Sequence, residues 1–300
     1  MLQRKTLPKV LLMLAMFVFL SANTVHFVET DDGSLWASTD RTYHFDFDSL
    51  AHQRGPYLNL KAAIAVDYSN GKVLYSRNAD EQRPIASLTK LVTAMVVLDK
   101  GLSLDSVVTI TREDSRRSAK SRLRTGYQLT VGDLLYEALM QSDNRSARAL
   151  ARAAHGTIEA FTAEMNKKVR QLGLKKTVFF EPTGLDARNV STAHEIAKIL
   201  HYAYDYRLIR EITSQRSWEI RIRNRKNRKL RLANTNLMIH SPHKVLAGKT
   251  GYIQASDYCL ATILRNKEGK RLTVVVLGVP RDRLRFRECR RLADWGFKRV

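Results

Sequence analysis

Ser87 and Lys90 stand three positions apart at the head of the apolar run Leu91-Val92-Thr93-Ala94-Met95-Val96-Val97-Leu98. If Ser87 caps or opens a helix there, its hydroxyl and the Lys90 amine share one helical face and form a nucleophile beside its base. A lysine in water, with a pKa near ~10.4, is a poor base, so the pair works only where burial or a second cation lowers that value. The same Ser-x-x-Lys spacing recurs at Ser69 to Lys72 and at Ser241 to Lys244, and neither opens a helix. The first falls on the turn signal Asn70-Gly71 between two apolar runs, and the second is interrupted by Pro242. Only Ser87 leads into an unbroken apolar segment, which stops at Lys100-Gly101.

The elements that must position this pair follow from periodicity. Ala62 to Val66 and Val73 to Tyr75 read as a hairpin, and Val107 to Ile110 as a short strand. Thr111 to Arg124 carries Arg112, Arg116, Arg117, Lys120, Arg122 and Arg124 and reads as a solvated basic loop. Thr130 caps a helix with Asp133 in its first turn, and Arg145 to Ala154 forms the next, which leaves Gln141-Ser142-Asp143-Asn144 as a loop tip. A helix from about Ile158 to Leu172 stops at Gly173, and Thr192-Ala193-His194-Glu195 is a capping box. From Trp218 the period changes to two: Trp218, Ile220 and Ile222 alternate with Glu219, Arg221 and Arg223, then Leu230 and Leu232 with Arg231. This is a hairpin with an arginine-rich outer face, turned to solvent or to a polymer. Strands at Tyr258 to Leu264 and Leu272 to Gly278 and a basic helix from about Arg283 to Phe297 complete the chain. Strands at both ends with helices between them imply an α/β (α+β) fold, with an antiparallel sheet built from the two ends of the chain and a helical subdomain between.

The chain of 300 residues has a net charge of +22, which favours anionic surroundings such as nucleic acid, anionic lipid or a carboxylate-rich and phosphate-rich bacterial envelope. The N-terminus decides among these. Gln3-Arg4-Lys5 and Lys9 precede the apolar run Val10 to Leu20, the layout of an export signal over residues 1–22 or of an N-terminal membrane anchor. Residues 23–57, rich in aspartate, read as an exposed leader, and the domain as 58–300. No aromatics interleave with the arginines as base-stacking platforms would, so nucleic acid is not an expected partner. Export would permit a disulfide between Cys259 and Cys289, although Cys259 lies in an apolar strand-like run where a cysteine is more often a small core residue. No metal site or cofactor is expected. His194-Glu195 begins a His-Glu-x-x-His pattern, but Lys198 stands where the second histidine should be.

Ser87-x-x-Lys90, Ser142-x-Asn144 and Lys249-Thr250-Gly251 follow one another in order. Each is commonplace alone, as a cap, a turn or a strand end. Together they are the motif set of penicillin-binding proteins and serine β-lactamases. With Phe180-Glu181-Pro182-Thr183-Gly184-Leu185 and Val190-Ser191-Thr192-Ala193, the chain resembles the low-molecular-weight D-alanyl-D-alanine carboxypeptidases, serine peptidase family S11. Ser121-Arg122-Leu123-Arg124 and Leu139 to Arg145 look most like the D,D-endopeptidase branch, which cleaves peptide cross-links.

The resemblance implies a β-lactamase/DD-peptidase-like fold and an acyl-enzyme on Ser87, with Lys90 as its base. Ser142 would relay a proton to the leaving amine, and Asn144 would hold Lys90 and the substrate amide. Lys249 would be the second cation that lowers the pKa of Lys90; with Thr250 it would meet the substrate carboxylate. Gly251 would let a peptide lie along the strand edge, and the backbone N–H groups of Ser87 and Tyr252 would form the oxyanion hole. Peptidoglycan peptides are the implied substrates and β-lactam antibiotics the implied acylating inhibitors. Glu181-Pro182 is not followed by the asparagine of the deacylating motif of class A β-lactamases, which argues against fast antibiotic hydrolysis. The competing reading is a non-catalytic envelope-binding protein on the same fold.

Overall fold

The computed structural model describes residues 25–29, 35–39, 43–46 and 55–300, apart from 117, 119, 120 and 227. The export segment 1–22 lies outside the described residues. The chain forms two units, Met1–Tyr43 and His44–Val300. In the first, β1 (Val25–Glu29) pairs antiparallel with β2 (Leu35–Thr39), Val25 opposite Thr39. The leader reading lacked this hairpin: β-branched and aromatic residues in both strands favour it, against the acidic residues around them. The second unit starts ahead of the Leu58 boundary, because the Asp46 N–H donates to Gly71 O at 2.9 Å and Asp46 O accepts from the Val73 N–H at 2.7 Å.

Along the second unit run β3 (Ala62–Asp67), β4 (Val73–Arg77), β5 (Arg83–Pro84), a 3-10 turn (Ala86–Thr89), α1 (Lys90–Asp99), β6 (Val107–Thr109) and β7 (Gln128–Thr130). The helical part follows with α2 (Val131–Met140), α3 (Asn144–His155), α4 (Ile158–Gln171), β8 (Val190–Ser191), α5 (Ala193–Asp205) and α6 (Arg207–Ser214). The chain closes with the hairpin β9 (Ser217–Arg221) and β10 (Lys229–Ala233), then β11 (Lys244–Ile253), β12 (Asp257–Arg265), β13 (Arg271–Val279) and α7 (Asp282–Phe297). The main sheet has the order β11-β12-β13-β3-β4, antiparallel throughout, so strands from both ends of the unit meet where β13 pairs with β3.

Both faces of this sheet are covered, which is why β3 and β13 read as continuous apolar runs rather than as an alternation. Ala63, Ala65, Leu260, Leu264, Val274 and Val276 pack under Phe286, Cys289, Leu292 and Ala293 of α7. The opposite face carries α5, whose buried His201 meets Thr273 of β13 through a 2.6 Å hydrogen bond. Burial disfavours the imidazolium and pushes the His201 pKa down to about 3.

The expected caps hold for Thr130, which accepts from the Asp133 N–H, and for Thr192, which accepts from the Glu195 N–H at 3.0 Å. The Glu195 carboxylate does not close the box. It accepts from the Lys175 and Lys176 N–H groups and from the Thr177 hydroxyl, and so ties the turn after α4 to α5.

Cys259 lies on β12 and Cys289 on α7, both buried free thiols, and burial raises the pKa of each. A buried neutral thiol is poorly nucleophilic. Thiol titration of the native protein is therefore expected to find neither cysteine reactive, and titration in denaturant to find both; a mass gain of two hydrogens on reduction would instead reveal a disulfide.

Candidate active site

Ser87 sits in the 3-10 turn and Lys90 opens α1, so the two side chains share a face without Ser87 acting as a cap. The turn is held in an uncommon conformation, with Ala86 at φ 48°. Two glycines allow the chain to close on it. A Cβ on Gly184 (φ 84°) would overlap the Ala86 carbonyl, and a Cβ on Gly251 would lie 3.0 Å from Ile85 O and 3.1 Å from Ser87 N. A side chain at Gly251 would thus crowd the serine's own backbone, a constraint that stands beside the expected approach of a peptide along the strand edge.

Lys90 is 0% exposed. Its Nζ donates to Asn144 Oδ1 at 2.7 Å and to Thr183 O at 2.6 Å, and lies 3.0 Å from Ser87 Oγ. A neutral amine has two N–H donors and one lone pair. With both N–H groups taken by carbonyl oxygens, the lone pair is left for the Ser87 O–H. Burial lowers the Lys90 pKa to about 8; the Glu181 and Asp143 carboxylates push it back up, and the Arg148 guanidinium pushes it down. Of the two expected causes, removal from water is the larger. The repulsion between the two lysines is mutual, and burial, Lys90 and Arg285 together drive Lys249 well below the ordinary lysine range.

Lys249 lies in the middle of β11, 1% exposed, and its Nζ donates to Ser142 Oγ at 2.8 Å and to Thr250 O at 2.9 Å. Ser142 reaches it from the tip between α2 and α3 with φ 62°, a strained value for a non-glycine residue. Asp143 fixes that tip: its N–H donates to Glu137 O, and its carboxylate accepts from the Ser146 N–H at 2.8 Å to cap α3. Among the described residues no carboxylate lies within ion-pair distance of Lys90 or Lys249. A cleft of about 580 Å³ opens over Ser87, Ser142, Asn144, Thr250, Gly251 and Tyr252. The eight residues expected from the sequence therefore stand together, six lining the cleft and two lysines beneath it.

The sequence pattern of the family described as D-alanyl-D-alanine carboxypeptidase, peptidase S11, matches residues 50–281. The D-alanyl-D-alanine endopeptidase of Pseudomonas aeruginosa is 38% identical over 240 residues, 78% of this chain and 76% of that protein. The D-alanyl-D-alanine endopeptidase of Escherichia coli K12 is 36% identical over 245 residues, 80% of this chain and 78% of that protein. The Streptomyces K15 DD-transpeptidase structure superposes with a TM-score of 0.76 at 27% identity, covering 82% of this chain and 100% of that one. The fold is that of the DD-peptidases and penicillin-binding proteins. The chain belongs to the D-alanyl-D-alanine carboxypeptidase family, whose members are serine hydrolases.

Several groups at the site have no signature in the sequence. Thr183 contributes its backbone carbonyl, which accepts from Lys90 and lies 3.4 Å from Ser87 Oγ. Thr235 stands 2.7 Å from the Thr250 hydroxyl, and Arg285 of α7 donates to Gly251 O at 3.0 Å, anchored by Asp282 at 2.7 Å. The segment Thr111 to Arg124 is more than a solvated loop. Arg145 Nε donates to Ser118 Oγ at 3.0 Å and Arg145 Nη1 to Leu123 O, which holds Ser118 and Ser121 on the cleft wall.

Glu181, in the position that resembled a deacylating glutamate, accepts from the Thr183 and Leu185 N–H groups at 2.8 and 2.9 Å, and from the Gly184 N–H and the Thr183 hydroxyl. Its carboxylate is spent on shaping the turn that presents Thr183 O to Lys90. Replacing it by glutamine puts an NH₂ group where an acceptor is needed. Glu181→Gln is expected to cost about 1–3 kcal/mol in denaturant unfolding and to slow acylation by a labelled penicillin, whereas unchanged values of both would remove Glu181 from this role.

Proposed function

We propose that this serine peptidase cleaves D-alanyl peptide bonds in peptidoglycan through an acyl-enzyme on Ser87, and that cross-links between stem peptides are its preferred substrates. The observation that carries the reading is the Lys90 amine, buried, with no contacting carboxylate among the described residues and 3.0 Å from Ser87 Oγ. The two relatives named endopeptidases support the preference for cross-links.

Neutral Lys90 takes the Ser87 proton as Oγ attacks the carbonyl carbon of the scissile D-alanyl bond. The developing oxyanion is held by the backbone N–H groups of Ser87 and Tyr252, an arrangement whose donors are each worth about a hundredfold or more in rate. When the tetrahedral adduct collapses, the C–N bond breaks and the leaving amine receives a proton through Ser142, backed by Lys249. Asn144 keeps Lys90 aligned and meets the substrate amide. Lys249, Thr250 and Arg285 make that end of the cleft favourable to a carboxylate. Water then attacks the ester, with Lys90 again accepting a proton, and returns Ser87. The same cleft forms a stable ester with β-lactams. Peptidoglycan lies outside the cytoplasmic membrane, and the basic head and apolar run of residues 1–22 provide the export that the substrate requires.

Incubating the mature chain with cross-linked muropeptide dimers and with pentapeptide monomers, and reading products by mass, tests this directly. Dimers are expected to become monomers faster than pentapeptides lose D-alanine, and Ser87→Ala to lose both reactions and penicillin labelling. The reverse order of rates would make the enzyme a carboxypeptidase first; no product and no labelling would leave a polymer-binding protein.

The pH profile follows from Lys90. Its folded pKa lies below the ordinary value, so the neutral base is lost as pH falls through about 8. Penicillin acylation is expected to fall about tenfold per unit below that point and to level off above it. A rate independent of pH between 6 and 9 would exclude Lys90 as the base.

A further inference from the structure

The hairpin β9–β10 carries a feature that the catalytic machinery does not use. Ile220, Leu230 and Leu232 are buried beneath it, and Arg221, Lys229 and Arg231 point outward. At its tip a cavity of about 300 Å³ is lined by six cations, Arg221, Arg223, Arg225, Lys226, Arg228 and Lys229, and by no acidic side chain. Lys229 is paired with Glu219 at 2.6 Å, and Arg223 acts electrostatically on Asp133. Among the described residues, no carboxylate pairs with Arg221, Arg225, Lys226 or Arg228.

The tip is also fixed in place. Arg223 N–H donates to Gln128 O at 2.8 Å, Gln128 N–H to Asn224 Oδ1 at 3.1 Å and Asn224 Nδ2 to Gly126 O at 2.8 Å. The Arg228 guanidinium lies over the Tyr127 ring, 5.4 Å from its centre. A run of charges that only needs solvation has no use for such ties. Like charges held close repel, and an incoming polyanion relieves that repulsion; guanidinium forks suit carboxylates and phosphates.

The hairpin is continuous with the cleft. Past β10 the chain reaches Thr235, whose hydroxyl is hydrogen-bonded to Thr250, and Arg122 from the segment of the cleft wall donates to Arg231 O at 2.8 Å. Nucleic acid is not favoured, because the exposed aromatic of the hairpin, Trp218, is stacked flat on Tyr136, with ring centres 4.5 Å apart.

We infer that the arginine tip of the β9–β10 hairpin is an exosite that binds the carboxylates of neighbouring stem peptides in the wall polymer while one peptide occupies the cleft. The exosite rests on the peptidase reading above for the identity of its ligand. It makes the enzyme favour polymer over free peptide without touching the reacting bond.

Co-sedimentation with purified insoluble wall sacculi tests it, using the full mature chain carrying Ser87→Ala so that binding needs no turnover. Arg221→Gln, Arg225→Gln and Arg228→Gln combined are expected to weaken binding to sacculi about tenfold. Amidating the sacculus carboxylates should weaken the unsubstituted chain to a similar degree, and vesicles containing one-third phosphatidylglycerol should bind both chains alike. With Ser87 restored, labelling by a small penicillin should stay within about twofold in the triple variant, because that ligand spans only the cleft.

Equal binding of sacculi by the two chains, or indifference to amidation, overturns the exosite. A loss confined to vesicles assigns the patch to a lipid surface and overturns it as well. Failure of penicillin labelling in the unsubstituted enzyme strikes the peptidase reading instead and leaves the binding comparison standing. If the triple variant lacks a cooperative melt, Arg225→Glu alone takes its place, and unchanged binding by that variant is equally fatal.

Discussion

Two lysine amines are buried side by side with, among the described residues, no carboxylate within ion-pair distance of either, and the rest of the site is arranged around that fact. Taking an ion out of water carries an effective penalty of roughly several kcal/mol even after relaxation, and a contacting carboxylate would offset it at the cost of fixing the proton on the lysine. This protein uses neutral oxygens instead: Asn144 Oδ1, Thr183 O and Ser87 Oγ around Lys90, Ser142 Oγ and Thr250 O around Lys249. Such acceptors stabilise the amine in either protonation state, so the proton stays mobile. The Glu181 and Asp143 carboxylates act at a distance and keep the Lys90 pKa from falling further.

Supplying those oxygens is the work of four segments far apart in the chain, and two of them are strained to do it. Ala86 and Ser142 hold left-handed backbone conformations, costing of the order of 1–3 kcal/mol each, and both lie at the site. The strain is held by what surrounds it. Behind Ala86, α1 is buried along nearly its whole length; beside Ser142, Asp143 caps α3, and α2 and α3 pack against each other. The 181–186 turn uses a carboxylate as its frame and is tied to α1, where the Thr93 hydroxyl donates to Pro182 O at 2.7 Å.

What could be read from the sequence was whatever is local. Ser87 and Lys90 are legible because a helical turn brings positions three apart together, and the Thr130 and Thr192 caps because a cap is a rule about four residues. The strands β12 and β13, the helix α7 and the sheet built from both chain ends follow from periodicity. The Lys90–Lys249 pairing with Asn144 and Ser142 is tertiary, and became visible only because three motifs together resemble a family. The role of Thr183 could not be read even though the run 180–185 marks the family, since a backbone carbonyl is the same in every residue. The weight of burial in the Lys90 shift was not legible for a related reason. Spacing can suggest a neighbouring charge, but the depth of burial depends on everything packed around the amine. Glu195 shows the same limit: its position predicts a reciprocal cap, and the turn after α4 takes the carboxylate instead.

The catalytic strand raises a further constraint, because β11 is the edge of the sheet. An exposed edge is a row of unpaired backbone groups, open to any extended chain, and most proteins block it. Here one stretch is closed: the turn holding Ser87 packs against β11 at Gly251, and Arg285 takes the Gly251 carbonyl. What remains of the edge borders the cleft with Thr250 and Tyr252. An extended peptide that pairs there is brought up to the serine by the register of the strand itself. The close contact between Gly251 and the Ser87 backbone therefore seats the serine against the edge strand, beside the stretch of that edge left open to the cleft.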